Sequence, residues 1–253
     1  MKIYYTLALM LALLSCNNQA TQSSNNQVAN TIATVISHNI PKTILLGKFS
    51  PESDSNFVVI PSHMTTHTRI YCHREAFAAY LAMRDSAQKA GITLTIVSAT
   101  RTFERQRQIW ERKWSGQQSV DSQQTVDTTL DISKIRSIMR YSSMPGTSRH
   151  HWGTELDFIS VETDYWTHGE GLRVYEWLCA NAPKFGFYQP YTADPSRTGY
   201  AEERWHWSYR PLSELYLKAY EQTITQADIT GFSGSYLVDS LGIIQSHVLG
   251  VAR

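Results

Sequence analysis

Two short stretches of this 253-residue chain hold side chains that could bind a metal and move a proton. The first is Ser148-Arg149-His150-His151-Trp152-Gly153-Thr154-Glu155-Leu156-Asp157, where an imidazole and a carboxylate stand seven residues apart across a glycine. The second is Glu202-Glu203-Arg204-Trp205-His206-Trp207, where a carboxylate precedes an imidazole by three. Two histidines and one aspartate make a three-ligand zinc site that leaves a fourth position for water. Zinc lowers the pKa of that water toward neutrality, and a nearby carboxylate can take its proton. His150, Asp157 and His206 are therefore candidate ligands for one zinc ion per chain, and Glu203 is the candidate base. His151 competes with His150, because neighbours along a strand face opposite ways and only one can reach the metal. Residues three apart in a strand also point to opposite faces. Glu203 and His206 can share a site only if the backbone turns or bulges between them. His38, His63, His67, His73, His168 and His247 lack such company and read as ordinary surface or core histidines.

These groups need elements to hold them. The clearest predicted helix runs from about Arg74 to Ala90, with Phe77, Tyr80, Leu81 and Ala87 near one face and Gly91 as its stop. Ile92, Leu94 and Ile96 alternate with Thr93, Thr95 and Val97 at strand spacing. A second helix starts after Thr102 and carries Phe103, Trp110 and Trp114. Arg101 falls between that strand and that helix, at a sheet edge facing the cleft. Ser115 to Asp131 reads as an exposed loop, and Ser133 to Arg140 as a short helix. Phe57 to Ile60, Thr154 to Ile159 and Arg204 to Tyr209 read as strands. Helices are expected near Gly171 to Ala182, with Leu172, Tyr175, Leu178, Cys179 and Ala182 along it, and from Leu212 to Gln222. Trp152, Trp205 and Trp207 read as core fillers. Helices and strands alternate irregularly, without a glycine-rich phosphate loop or an internal repeat, which favours an α+β fold.

The formal net charge of +1 gives no global field that would favour nucleic acid. Lys2 followed by the apolar run Ile3 to Leu14 resembles an export leader, too short to span as a mature helix. Ser15-Cys16 directly after it resembles a bacterial lipoprotein processing site, so residues 1–15 are expected to be a signal peptide and Cys16 an acylated anchor. Residues 16–38, rich in Asn, Gln, Ser, Thr and Ala, read as a flexible tether, with the packed domain spanning 39–253. Cys72 and Cys179 either pair, as export permits, or remain buried thiols.

The pattern Ser-x-His-x-x-Gly-x-x-x-Asp followed by Glu-x-Trp-His resembles the D-alanyl-D-alanine metallopeptidases of the vancomycin-resistance type. The resemblance covers roughly Arg74 to Tyr209 and implies zinc on His150, Asp157 and His206, with Glu203 as base. An upstream Ser-Gly-Tyr-Arg-Ser-like segment of that family matches Ser98-Ala99-Thr100-Arg101-Thr102, and Gln106 follows at the expected distance. It implies a catalytic role for Arg101, by oxyanion stabilisation or grip on a terminal carboxylate, and substrate contacts for Ser98, Gln106 and Ser148. Ala99-Thr100 replaces the usual Gly-Tyr, Glu155 stands where a small residue is common, and Arg204 stands where proline is common. The implied fold is a single zinc-peptidase domain, a small antiparallel sheet flanked by helices. The implied activity is removal of the terminal D-amino acid from peptidoglycan stem peptides, in an enzyme lipid-anchored on the periplasmic side of the bacterial envelope. LD-carboxypeptidase, dipeptidase and endopeptidase variants of the same chemistry remain open, as do a non-catalytic wall-binding lipoprotein and the oligomeric state.

Overall fold

The computed structural model describes residues 40–120 and 130–252, all but the first of which lie in the compact unit Pro41–Arg253. The expected leader, Cys16 and the tether fall outside the described residues. The elements, in chain order, are α1 (Lys42–Leu45), β1 (Phe57–Val59), β2 (Tyr71–His73), α2 (Arg74–Lys89), β3 (Ile96–Ser98), α3 (Phe103–Trp114), α4 (Asp131–Ile138), β4 (Glu155–Phe158), α5 (Gly169–Asn181), β5 (Phe187–Tyr188), β6 (His206–Tyr209), α6 (Arg210–Thr223) and α7 (Val238–Leu241). Short single-turn helices fill many of the intervals.

The strands form a two-stranded ribbon, β1-β2, and a four-stranded antiparallel sheet in the order β3-β4-β6-β5. Alternation along β4 and β6 divides that sheet by chemistry. Leu156 pairs with Trp207 and joins Phe158 on the face that packs against Tyr80, Met83 and Ala87 of α2 and Val174 and Leu178 of α5. On the opposite face, Asp157 pairs with His206 and Glu155 with Ser208. The sheet therefore has one oily side, which anchors it, and one polar side, which carries the candidate ligands.

β3 departs from the expected strand. Ile92 and Leu94 are buried, but ladder pairing begins only at Ile96. Ile96 pairs with Phe158 and Ser98 with Asp157, so the register shifts by one residue between them. Without a shift, Ile96 and Ser98 would share a face. A bulge re-aims a side chain in this way beside many active sites, and here it leaves Ile96 in the core while Ser98 joins Asp157.

α2 buries Ala76, Tyr80, Met83 and Ala87, at helical spacing, while Phe77 and Leu81 are only partly buried. His73 caps its start by accepting from Glu75 N–H. Thr102 caps α3 by accepting from Arg105 N–H. The buried stripe of α5 is Gly171, Val174 and Leu178, so Cys179 lies on its exposed side, one position off the expected face. Cys72 is buried and free, and no disulfide joins the two. Trp152, Trp205 and Trp207 are all buried. The segment after α6 packs against α3: Trp110 donates its indole N–H to Ser233 O, and Ser233 N–H donates to Glu111.

Candidate metal centre

Three strands place one row of side chains: Ser98 on β3, Asp157 on β4 and His206 on β6 lie side by side through cross-strand pairing. His150 joins from a single helical turn, Arg149–Trp152, that directly precedes β4. Gly153 ends this turn at φ 72°, where a Cβ would lie 2.4 Å from the Phe57 ring. The glycine of the motif is thus required both by its left-handed backbone and by close packing.

Both candidate histidine ligands are oriented by acceptors behind them. His150 Nδ1 lies 2.7 Å from Ala99 O, so it carries the proton and donates, leaving Nε2 as an acceptor turned toward the cluster. His206 Nε2 lies 2.8 Å from Glu155 Oε2 and donates there, which makes Nδ1 its ligand atom. That Nδ1 faces Asp157 Oδ1 at 3.0 Å, and His150 Nε2 lies 3.3 Å from Asp157 Oδ2. Ligand atoms of His150, Asp157 and His206 all lie within 4.8 Å of one another. Asp157 Oδ1 is buried, and among the described residues it has no well-formed hydrogen bond despite its approach to His206. Lone pairs converging in this way on an under-satisfied carboxylate oxygen fit a divalent cation held by two imidazoles and one carboxylate.

His151 is equally buried but turned away. Its Nδ1 donates to Arg101 O at 2.7 Å and its Nε2 accepts from Gly146 N–H at 3.0 Å. The ring presses on Gly47, where a Cβ would fall 2.3 Å from Nδ1. Both ring nitrogens are thereby used structurally, and His150 faces the cluster.

β6 begins at His206 rather than at Arg204, because the preceding residues form a turn in which His206 N–H donates to Glu203 O. This turn meets the geometric demand posed by the spacing, and Glu203 Oε2 comes to 3.5 Å from His206 Nδ1. Burial pushes the Glu203 carboxyl up to about 7, with Asp157 adding to the rise and His206 and Arg101 opposing it. Burial would also lower His206, but Asp157 and Glu155, one at each ring nitrogen, raise it to about 9. A cation entering the cluster near neutral pH therefore displaces a proton from His206. Burial and then the Arg101 charge hold His150 below its ordinary value.

Arg101 reaches Asp157 Oδ2 at 2.8 Å and His150 Nε2 at 3.2 Å, with its side chain 22 % exposed at the cleft. Ser98 Oγ accepts from Arg101 Nε at 2.9 Å, and Gln106 Oε1 from Nη1 at 3.4 Å. Gln106, expected to touch substrate, is fully buried and is absent from the cleft lining; it also donates to Ser143 O. Ser98 lines the cleft beside Arg101, and Ser148 Oγ lines it without a hydrogen-bond partner among the described residues. The cleft has a volume of about 580 Å³ and runs from His150, Asp157 and His206 out to the exposed Arg105, Gln118 and Glu162.

The sequence profile described as "VanY: D-alanyl-D-alanine carboxypeptidase" matches residues 69–212, more than half of the chain and all of the cluster. The chain belongs to this family. Among curated relatives in the family's range, a D-alanyl-D-alanine carboxypeptidase of Enterococcus faecalis is 30% identical over 144 residues, covering 54% of this chain and 47% of the relative. A putative carboxypeptidase of Bacillus subtilis, YodJ, is 27% identical over 146 residues, covering 55% and 46%. The chain thus spans about half the length of these relatives. The fold resembles that of the LD-carboxypeptidase LdcB, with a TM-score of 0.50 at 22% identity, covering 70% of this chain and 81% of that one. Within this family frame, the residue that sequence reasoning underrated is Glu155. It registered only as a departure at a position that is commonly small, yet its carboxylate is what orients His206.

Proposed function

We propose that the protein is a zinc-dependent carboxypeptidase that removes the terminal D-amino acid from peptidoglycan stem peptides. His150, Asp157 and His206 hold the ion in this reading. The observation that carries it is the convergence of their ligand atoms beside the buried carboxylate of Glu203. When bound, zinc supplies Lewis acidity and a water acidified toward neutrality. Glu203 accepts the water's proton and delivers it to the leaving amine; burial keeps this carboxyl basic enough for both transfers. Arg101, clamped by Ser98 and Gln106, directs its remaining donor capacity at a peptide's terminal carboxylate or at the developing oxyanion. Ser148 Oγ is free to bind a polar group of the substrate. The cleft continues past the ligands to exposed residues, which favours a peptide threaded along it over a closed dipeptide box.

The same reading places the enzyme in the bacterial envelope. Among the described residues no helix is long and apolar enough to cross a membrane. We infer that Cys16 is acylated and that residues 16–38 tether the domain; a fatty-acid label lost in Cys16→Ala cells supports this, and an undiminished label refutes it.

Mass spectrometry of stem pentapeptide after incubation with the zinc-loaded protein tests the activity. Loss of one D-alanine is expected. Loss of a dipeptide, or cleavage only after the tetrapeptide is supplied, would replace the proposed specificity with dipeptidase or LD-carboxypeptidase action. Metal analysis should give one zinc per chain in the His151→Ala protein and a large loss in His206→Ala; the reverse pattern would overturn the ligand set.

A further inference from the structure

The polar face of the sheet continues behind His206 into a fully buried group of charges. Glu155 Oε2 accepts from His206 Nε2 at 2.8 Å. Its other oxygen, Oε1, accepts from three donors: Arg149 Nη2 at 3.1 Å, Ser208 Oγ at 2.7 Å and Thr154 Oγ1 at 3.0 Å. Arg149 lies over the Trp152 ring and donates also to Tyr188 and Ser208. Glu155 is not itself placed as a metal ligand. It sits behind His206, on the ring nitrogen turned away from His150 and Asp157.

We propose that Glu155 is a positioning residue for the metal centre: it holds His206 with the proton on Nε2, so that Nδ1 is the nitrogen offered to the ion, while Arg149, Ser208 and Thr154 occupy its other oxygen. This rests on the zinc reading above. An imidazole that donates to a carboxylate has its tautomer and ring plane fixed and is a more basic ligand. The division of labour between the two carboxylate oxygens makes the role specific. Oε1 is saturated by hydroxyls and the guanidinium, so only Oε2 is left for His206. The counter-charge for Arg149 and the anchor for His206 are thus met by different atoms of one side chain.

This division makes an unusual demand on the isosteric substitution. In Glu155→Gln the amide has a single acceptor oxygen. Arg149, Ser208 and Thr154 all present donors where Oε1 stood, so the amide oxygen turns to them and the NH2 turns to His206. Facing a donor, His206 must accept at Nε2, and its proton moves to Nδ1, the atom meant for the metal. The isostere should therefore damage zinc binding although it preserves volume and shape.

The test is a chelator-competition measurement of zinc affinity on the full-length protein, with nitrogen-15 NMR of His206 in the zinc-loaded state and in the metal-free state at a pH alkaline enough to leave its ring neutral. Glu155→Gln is expected to weaken zinc about 10- to 100-fold and to shift the metal-free His206 proton to Nδ1, with an unchanged circular dichroism spectrum. Ser208→Ala, which removes an Oε1 partner but no contact to His206, should leave both readouts as in the wild type. Should Glu155→Gln fail to fold, the pair Arg149→Met with Glu155→Leu removes both buried charges together, a replacement that buried ion pairs often tolerate; weakened zinc in that folded protein is the expected result. Wild-type zinc affinity in either folded variant would overturn the proposal and leave Glu155 as a counter-ion for Arg149 alone. If the wild type itself binds no zinc, the reading of the centre fails instead, and the tautomer measurement on the metal-free protein still decides what Glu155 does to His206.

Discussion

Glu155 and Glu203 are both buried, both within reach of His206, and they behave as opposites. Burial alone would push either carboxyl up from its ordinary value of 4.5. At Glu155 the Arg149 guanidinium, His206 and Ser208 overcome that cost and hold the carboxyl at about 2. At Glu203 nothing overcomes it, and the carboxyl rises to about 7. The lesson is that compensation, not burial, sorts the two: an ionised group with a matched partner becomes scaffold, and one without becomes a proton acceptor with driving force in hand. Their pH windows differ in sign. Glu155 contributes stability that is present above pH 4.5 and fades as pH falls toward 2. Glu203 costs the metal-free fold stability as pH rises from 4.5 through 7.

Glu203→Gln should break the comparison most sharply. We expect turnover to fall about 100- to 10,000-fold, since general acid–base assistance is typically worth that much, with stoichiometric zinc and little change in substrate affinity. The same variant should flatten the loss of metal-free stability between pH 4.5 and 7, read from urea midpoints at each pH. Unchanged turnover would remove Glu203 as the base, and a wild type without turnover on any stem peptide would sink the enzyme reading in favour of a wall-binding protein.

Removing Arg101 tests the cleft-lining cation that contacts both Asp157 and His150. Arg101→Ala should lower kcat/KM about 100- to 1,000-fold, the range for loss of an oxyanion donor, and leave zinc bound. A rise in KM alone would assign it to the terminal carboxylate.

On the scaffold side, Arg149→Met strips the buried Glu155 of its guanidinium partner. Breaking such a pair costs about 3–5 kcal/mol, and both side chains are at most 1% exposed, so no solvent screening softens the loss. Chemical denaturation of the zinc-free protein measures it; a change under about 1 kcal/mol would be that of a surface pair and would refute the contrast. The smallest effect is expected at Glu202, which pairs with Arg204 at the half-buried edge of the same turn. Activity of Glu202→Gln should match the wild type. Loss of activity there, with Glu203→Gln active, would move the base by one residue.

Much of this was legible in the chain, and the exceptions share a cause. Leu156, Phe158 and Trp207 alternate with Glu155, Asp157, His206 and Ser208, so local period alone separates the oily face from the polar one. The helices α2, α3, α5 and α6 fall close to their expected spans because apolar spacing and, at α2 and α3, a capping side chain are local signals. Long-range facts were hidden. The strand expected from Ile92 shrank to Ile96–Ser98 because only those residues find a partner on β4, and the bulge that turns Ser98 toward Asp157 depends on that partner. Gln106 matches a motif position, but only packing reveals that Ser143 and Arg101 enclose it. Glu155 could not be read as scaffold because its meaning comes from Ser208 and His206, more than fifty residues away.

The turn Arg149–Trp152 carries a last consequence. It joins His150 to Asp157 through a short segment whose backbone is already pinned: Arg101 N–H donates to His150 O, and His73 N–H to Gly153 O. His150 and His206 are likewise clamped from behind by protein acceptors. Closing the loop between ligands therefore costs little conformational entropy at the moment the ion arrives, because folding has already ordered it. Zinc should enter a finished cage: uptake would follow a single bimolecular phase, heat-capacity change on binding would be small, and amide exchange across β4 and β6 would be slow with or without the ion.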